Sequence, residues 1–277
     1  MSYTKGPPLV SVIIPTLNSE STIEKCLSSL KSQSYSNIEI IVVDAYSKDR
    51  TRHIAKRYNA KIILSSAEMS EARNIGLKHV NKKSCYVLFL DSDMELTPRV
   101  IEECVKIMEG SEDIGGIIIP EKTVGSSFWA RVRSAERDSY VSTVVEAARF
   151  FRTDLVKKAG GYDAEVIFYE DYTLPLKIAK MGYRIDARIS SPLLHHEEDF
   201  KLGKWLSKKF YYGKTLLIFM KKYSRGVYVR GNPVKRTLML LRNKKLRCEP
   251  TVLLGVFLLK IMESFALLLG CLSTIRC

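Results

Sequence analysis

Closely spaced cysteine pairs, a long apolar run in the opening residues and, through one long basic stretch, acidic side chains are what this sequence lacks. Its six cysteines, Cys26, Cys85, Cys104, Cys248, Cys271 and Cys277, form no C-x-x-C pair and no zinc-like spacing. Three of them, Cys26, Cys85 and Cys104, fall in runs that read as helix or strand interiors, so reduced thiols in a cytosolic setting are expected rather than a disulfide scaffold. The opening residues MSYTKGPPLVSVIIP lack the long apolar core of a signal peptide, and their short apolar run reads as a first strand. From 201 to 250, fifteen Lys and Arg face a single acid, Glu249, so this segment alone carries the whole +14 of the chain. A neutral body with one basic flank is not the profile of a general nucleic-acid binder; it points to phosphate-bearing substrates or a membrane surface. With 277 residues, 46% of them hydrophobic, the chain has the apolar content for a full core, and intrinsic disorder is not expected.

What is present is an alternation. Val10 to Ile14 is a β-branched run stopped by Pro15, and Glu20 to Gln33 then carries Ile23, Cys26, Leu27 and Leu30 at helical spacing. IEIIVVD, Ile38 to Asp44, is a second apolar strand, followed by a helix from about Thr51 to Tyr58. AKIILS, a helix over Ser70 to Val80 and CYVLFLD continue the pattern, and a further helix is expected from about Thr173 to Met181. Strands buried on both faces and alternating with helices predict an α/β fold with a parallel sheet covered by helices. In such sheets ligands bind beyond the carboxyl ends of the strands, which directs attention to 15–19, 44–49, 65–74 and 91–95.

At the fourth strand end, Asp91 and Asp93 flank Ser92. If strand geometry persists, the two carboxylates share one side and repel unless a cation intervenes; hard oxygen ligands of this kind suit Mg²⁺ or Mn²⁺ shared with substrate phosphates. A strand-end turn with Asp capping a helix is the other reading of an isolated D-x-D.

The neighbouring motifs narrow the choice. P-T-x-N at Pro15 to Asn18, D-x-x-S-x-D-x-T from Asp44 to Thr51, A-R-N-x-G from Ala72 to Gly76 and D-x-D at Asp91 together resemble the family-two glycosyltransferases over nearly all of residues 9 to 97. The resemblance implies a GT-A, Rossmann-like, mostly parallel mixed sheet and an inverting, metal-dependent transfer from a nucleotide-diphosphate sugar, UDP- or GDP-linked. It implies that Pro15, Thr16 and Asn18 line the nucleotide and that Asp44 accepts hydrogen bonds from the base. Ser47 and Asp49 shape their loop, cap the next helix or touch ligand. Arg73 and Asn74 face the nucleotide-sugar, Asp91 approaches ribose and metal with Ser92 in the substrate-binding set, and Asp93 ligates Mg²⁺ or Mn²⁺. Ala45 and Tyr46 depart from the family pattern, which alters the expected base pocket.

A second signature follows at Gly161-Tyr162-Asp163 and Glu170-Asp171. The resemblance makes Asp171 the catalytic base and Glu170 a supporting, acceptor-positioning acid; a helix N-terminus also keeps a carboxylate ionised. It places a histidine in the metal shell, His195 in preference to His196. Trp205, with Lys208 and Lys209, either positions the acceptor or belongs to an amphipathic helix closing the site.

Thr251 to Thr274 is apolar and long enough to span a bilayer, yet holds Lys260 and Glu263 three positions apart. A span, an in-plane helix and a helix buried on protein all remain open, and the basic flank tips the reading toward a membrane. The expected organisation is a GT-A domain over 1–200, a basic juxtamembrane segment over 201–250 and an apolar helix over 251–274. A lipid-linked glycan or polyprenyl phosphate acceptor at the cytoplasmic face of a membrane follows. A catalytically idle basic protein that binds membranes or nucleic acid is the alternative, which the clustered acids disfavour.

Overall fold

The computed structural model describes residues 6–143, 145–197, 200–223 and 233–275; Arg225 and Arg230 of the basic segment, and Cys277, lie outside the described residues. The chain divides into two compact units, one comprising 1–121, 147–164 and 171–195, the other 122–146, 165–170 and 196–277.

In the first unit the elements run β1 (Leu9–Thr16), α1 (Ile23–Lys31), β2 (Ile38–Asp44), α2 (Thr51–Arg57), β3 (Lys61–Leu64), α3 (Met69–Lys78), β4 (Ser84–Phe89), β5 (Met94–Leu96) and α4 (Val100–Gly110). After β6 (Gly116–Ile118) comes β7 (Glu121–Val124), which opens in this unit; β8 (Phe150–Arg152), α6 (Thr153–Lys158), α7 (Glu170–Lys180), β9 (Ala187–Arg188) and β10 (Leu193–His196) complete it. Seven strands form one sheet in the order β3-β2-β1-β4-β8-β6-β9. β1, β2, β3 and β4 are parallel, while β8 runs antiparallel to both β4 and β6. The mixed, mostly parallel sheet that the resemblance implies is the one observed, its parallel part being the strands of the alternation.

Strand alternation splits the core into two layers. Val10, Val12 and Ile14 of β1 join Leu27, Ile40 and Val42 on one face, whereas Ile13 joins Ile41, Val43, Leu77 and Phe89 on the other. β1 lies between β2 and β4, buried on both faces, and the loops after these three parallel strands therefore emerge side by side at one sheet edge. A small antiparallel pairing of β5 with β10 brings His195 opposite Met94.

The second unit contains α5 (Phe128–Asp138), α8 (Leu202–Gly213), α9 (Leu216–Lys222), α10 (Pro233–Arg242), α11 (Lys244–Arg247) and α12 (Pro250–Ile275). Its core gathers Val132, Tyr140, Leu240, Leu246, Val252, Val256 and Leu259. Helix α12 is the one described helix long and apolar enough to cross a membrane.

Helix α3 packs on β1 through Gly76, where an added Cβ would overlap the Ile13 side chain. Gly to Ala gains about 1 kcal/mol of helix propensity, but overpacking a tight core costs roughly 1–3 kcal/mol. Gly76→Ala is accordingly expected to lower stability by about 1 kcal/mol net, read as a lower urea midpoint at unchanged slope.

Candidate active site

The loops after β1 and β2 are laced into one surface. Asp44 is fully buried; its carboxylate accepts from Thr16 Oγ1 at 3.0 Å, Ser47 Oγ at 2.6 Å and Ser47 N at 2.8 Å. Asn18 and Tyr46 adopt left-handed backbone, φ 48° and 57°. Asn18 N donates to Ser47 Oγ at 2.8 Å, and Asn18 Oδ1 accepts from Lys48 N at 2.9 Å. Asp49 accepts from Thr51 N at 2.9 Å and Glu20 N at 3.0 Å, tying the start of α2 to the first loop. The D-x-x-S-x-D-x-T motif thus spends its polar atoms on holding the two loops together, as the buried Asp44 carboxylate requires.

Asn74 does similar work at longer range. Its amide donates to Tyr162 O at 2.9 Å and accepts from Tyr162 N at 2.8 Å. This staples α3 to the G-Y-D turn, where Gly161 has φ +70° and a Cβ would strike Asn74 Oδ1. Asp163 pairs with Lys177 of α7 at 2.5 Å. The A-R-N-x-G and G-Y-D signatures, far apart in sequence, therefore form one contact.

The continuation of strand geometry through the D-x-D does not occur. β4 ends at Phe89, and Asp91 to Met94 is a turn in which Met94 N donates to Asp91 O at 3.1 Å. The two carboxylates take different partners. Asp91 receives Arg73 Nη2 on Oδ1 at 2.9 Å and Arg149 Nη1 on Oδ2 at 3.4 Å. Asp93 instead meets His195 Nε2 at 3.2 Å. Ser92 donates to Ser19 Oγ at 2.9 Å, which fastens the turn to the loop after β1.

Arg73 is 2% exposed and also donates through Nη1 to Asp171 at 3.0 Å, with its guanidinium 5.2 Å from the Tyr162 ring centroid. Asp171 lies at the N-terminus of α7 with its side chain 41% exposed. Arg149 and Glu121 have no motif to announce them, yet both belong here. Arg149 donates to Glu121 Oε1 at 2.8 Å, and the other Glu121 oxygen lies 3.6 Å from His195 Nδ1. Arg73, buried, and Arg149, partly buried, thus connect Asp91, Asp171 and Glu121, and Glu121 in turn faces the histidine beside Asp93.

Of the two histidines, the structure brings His195 to Asp93; His196 falls in the second unit. Glu170 and Trp205 also belong to the second unit, where the Trp205 indole donates to Glu263 at 2.6 Å. Among the described residues no three His, Cys, Asp or Glu side chains are preassembled around a cation position. The carboxylate and imidazole of Asp93 and His195, 3.2 Å apart, nonetheless fit Mg²⁺ or Mn²⁺, because such ions draw most of their ligands from water and phosphate.

Burial raises the Asp91 carboxyl, but Arg149 and then Arg73 outweigh it and hold the group at about 2. A depressed acid stabilises the fold above its unfolded value near 3.8 and loses that contribution as pH falls toward 2. The side chain is 24% exposed, and the shift corresponds to roughly 2 kcal/mol. Urea midpoints measured from pH 5 to 2 should fall less steeply for Asp91→Asn than for the wild type; parallel curves would remove the ion-pair account.

Comparison with known proteins agrees with this geometry. The family model described as "Glycosyl transferase family 2" matches residues 11–168. Glycosyltransferase AglE of Haloferax volcanii is 27% identical over 76% of this chain and 74% of its own length. The uncharacterized glycosyltransferase EpsJ of Bacillus subtilis is 34% identical over 51% of this chain, which spans 40% of it. Among solved structures, the mannosyltransferase PcManGT of Pyrobaculum calidifontis, in complex with GDP-Man and Mn²⁺, superposes with TM-score 0.61 at 19% identity over 98% of this chain and 88% of that one. S. aureus TarS 1-349 in complex with UDP-GlcNAc gives 0.58 at 19% identity, over 88% and 78%. With the family model covering more than half of its length and the strand-end loops folded as described, the chain belongs to glycosyl transferase family 2.

Proposed function

We propose that the protein moves a sugar from a nucleotide-diphosphate sugar to a hydroxyl of a lipid-linked acceptor, with inversion at the anomeric carbon. The observation that carries this reading is the bridge Asp91–Arg73–Asp171, which holds an exposed carboxylate at a helix N-terminus within one guanidinium of the D-x-D turn. The solved relatives support a nucleotide-sugar donor and a divalent cation: TarS was crystallised with UDP and with UDP-GlcNAc, PcManGT with GDP-Man and Mn²⁺, and a mycobacterial glucosyl-3-phosphoglycerate synthase with UDP and Mn²⁺.

In this mechanism the loops carrying Pro15, Thr16, Asn18 and Asp44 bind the nucleotide. Asp93 and His195 would hold the cation, which when bound supplies positive charge against the departing diphosphate. Asp171 takes the proton of the acceptor hydroxyl as its oxygen bonds to C1 and the C1–O bond to the nucleoside diphosphate breaks. Arg73 orients Asp171 through the Nη1–Oδ1 hydrogen bond at 3.0 Å. Glu170, the preceding residue, is the acceptor-positioning acid. The reaction belongs at the cytoplasmic face of a membrane, supported by the free thiols of the described cysteines and by the basic run over 201–250.

Turnover of UDP- and GDP-sugars with Mn²⁺ or Mg²⁺, with and without a lipid extract, tests this. Asp171→Asn should lower transfer by roughly a hundredfold or more while nucleotide affinity stays within about twofold. Asp93→Ala should abolish metal-stimulated nucleotide binding, and product NMR should show the opposite anomer to the donor. Full transfer by Asp171→Asn would refute the hydroxyl acceptor and direct attention to a phosphate acceptor, already an anion.

A further inference from the structure

The second unit decides how α12 meets its surroundings. One side of the helix is committed to protein. Gly255 lets it approach Phe128 and Val132 of α5, and Gly270 packs against the Phe210 carbonyl of α8, positions where any Cβ would collide. On the same side Lys260 pairs with Glu136 and, at 2.6 Å, with Glu263. Trp205 donates to Glu263 and lies between two cations, with Arg133 and Lys209 each 4.3 Å from its ring. Charges that would be costly in hydrocarbon are satisfied here by neighbours on α5 and α8.

The opposite side is apolar and uncovered. Leu254, Leu258, Ile261, Phe265, Leu268 and Leu272, spaced three and four apart, are between 44% and 66% exposed. Between α8 and α12 an apolar groove of about 350 Å³, lined by Leu206, Phe210, Met262, Phe265 and Leu269, opens beside them. α9 adds Leu217, Ile218 and Met220, also exposed. Surface this apolar on a soluble chain marks a docking face.

We infer that α12 lies in the plane of an anionic lipid bilayer, with this stripe in the acyl region and the α8–α12 groove receiving a lipid chain, and that it does not cross the membrane. A span is excluded by its lateral partners. α5, sequence FWARVRSAERD, packs on α12 at Gly255 and α8 packs on it at Gly270, so passage of α12 would carry both charged helices into hydrocarbon. The lipid is specified by charge: α8 to α11 lie in the segment where Glu249 is the one acid against fifteen Lys and Arg. This deepens the lipid-linked acceptor proposed above, but its test does not require turnover.

Full-length protein is floated with vesicles of phosphatidylcholine, alone or with phosphatidylglycerol. Binding should be roughly tenfold stronger with the anionic lipid. Ile261→Asp or Phe265→Asp should each weaken it by about tenfold or more, whereas Met181→Asp, an exposed apolar site in the other unit, should leave it unchanged. Ile261→Trp fluorescence should be quenched by bromines near the headgroup end of the acyl chains more than by bromines at the bilayer centre, and alkaline carbonate should strip the protein. Absence of binding to either vesicle overturns the inference even if donor turnover is intact. So does carbonate-resistant binding with quenching mainly at the centre, which means a span, or a dimer that Ile261→Asp returns to monomer without vesicle binding, which means a second copy covers the stripe.

Discussion

Arg73 is the hinge of the candidate site. Its buried guanidinium faces Asp91 at 2.9 Å and Asp171 at 3.0 Å, so a single cation from α3 joins the turn after β4 to the start of α7. Neither acid is held there by local geometry. Without the arginine, Asp91 would keep Arg149 and the weaker influence of His195 against its burial, and the direct link between Asp91 and Asp171 would be lost. A planar fork is needed because two carboxylates approach from different elements, which a single ammonium does less well.

Around that hinge the charges alternate. Arg149 serves Asp91 on one side and Glu121 on the other, and Glu121 faces the imidazole that meets Asp93. The order acid, arginine, acid, histidine, acid keeps each of these partly buried groups beside an opposite charge or a hydrogen-bond partner, as reduced solvation demands. It also divides the labour of the D-x-D pair. Asp91 is neutralised by protein, while the Asp93 side chain remains 43% exposed, beside His195.

The second unit applies the same rule to a different end. Glu136 collects Arg133, Lys260 and Arg236, and although burial pushes its carboxyl up, Lys260 and Arg133 bring it far below the usual carboxylate range. Charges within an apolar helix look contradictory until their partners are known. Here they form the inner seam of a helix whose outer side is greasy.

Much of this was legible beforehand. The first four strands and three helices lie where hydrophobic periodicity put them; Pro15, Asp44 and Asp91 stand at or just beyond strand ends and Arg73 on the third helix, as their motifs imply. These features are local, set by neighbours one to four positions away, and so the sequence by itself determined them. Arg149 and Glu121 were missed because nothing in EAARF or PEKTV distinguishes them from surface charges; only the antiparallel return of β8 beside β4 makes them part of the site. The same holds for the different partners that Asp91 and Asp93 take and for the side of α12 that Lys260 and Glu263 take. The deciding contacts join residues 58, 98 and 102 positions apart. Their meeting depends on strand order and helix packing, and those are energies of the whole fold that no short window of residues contains.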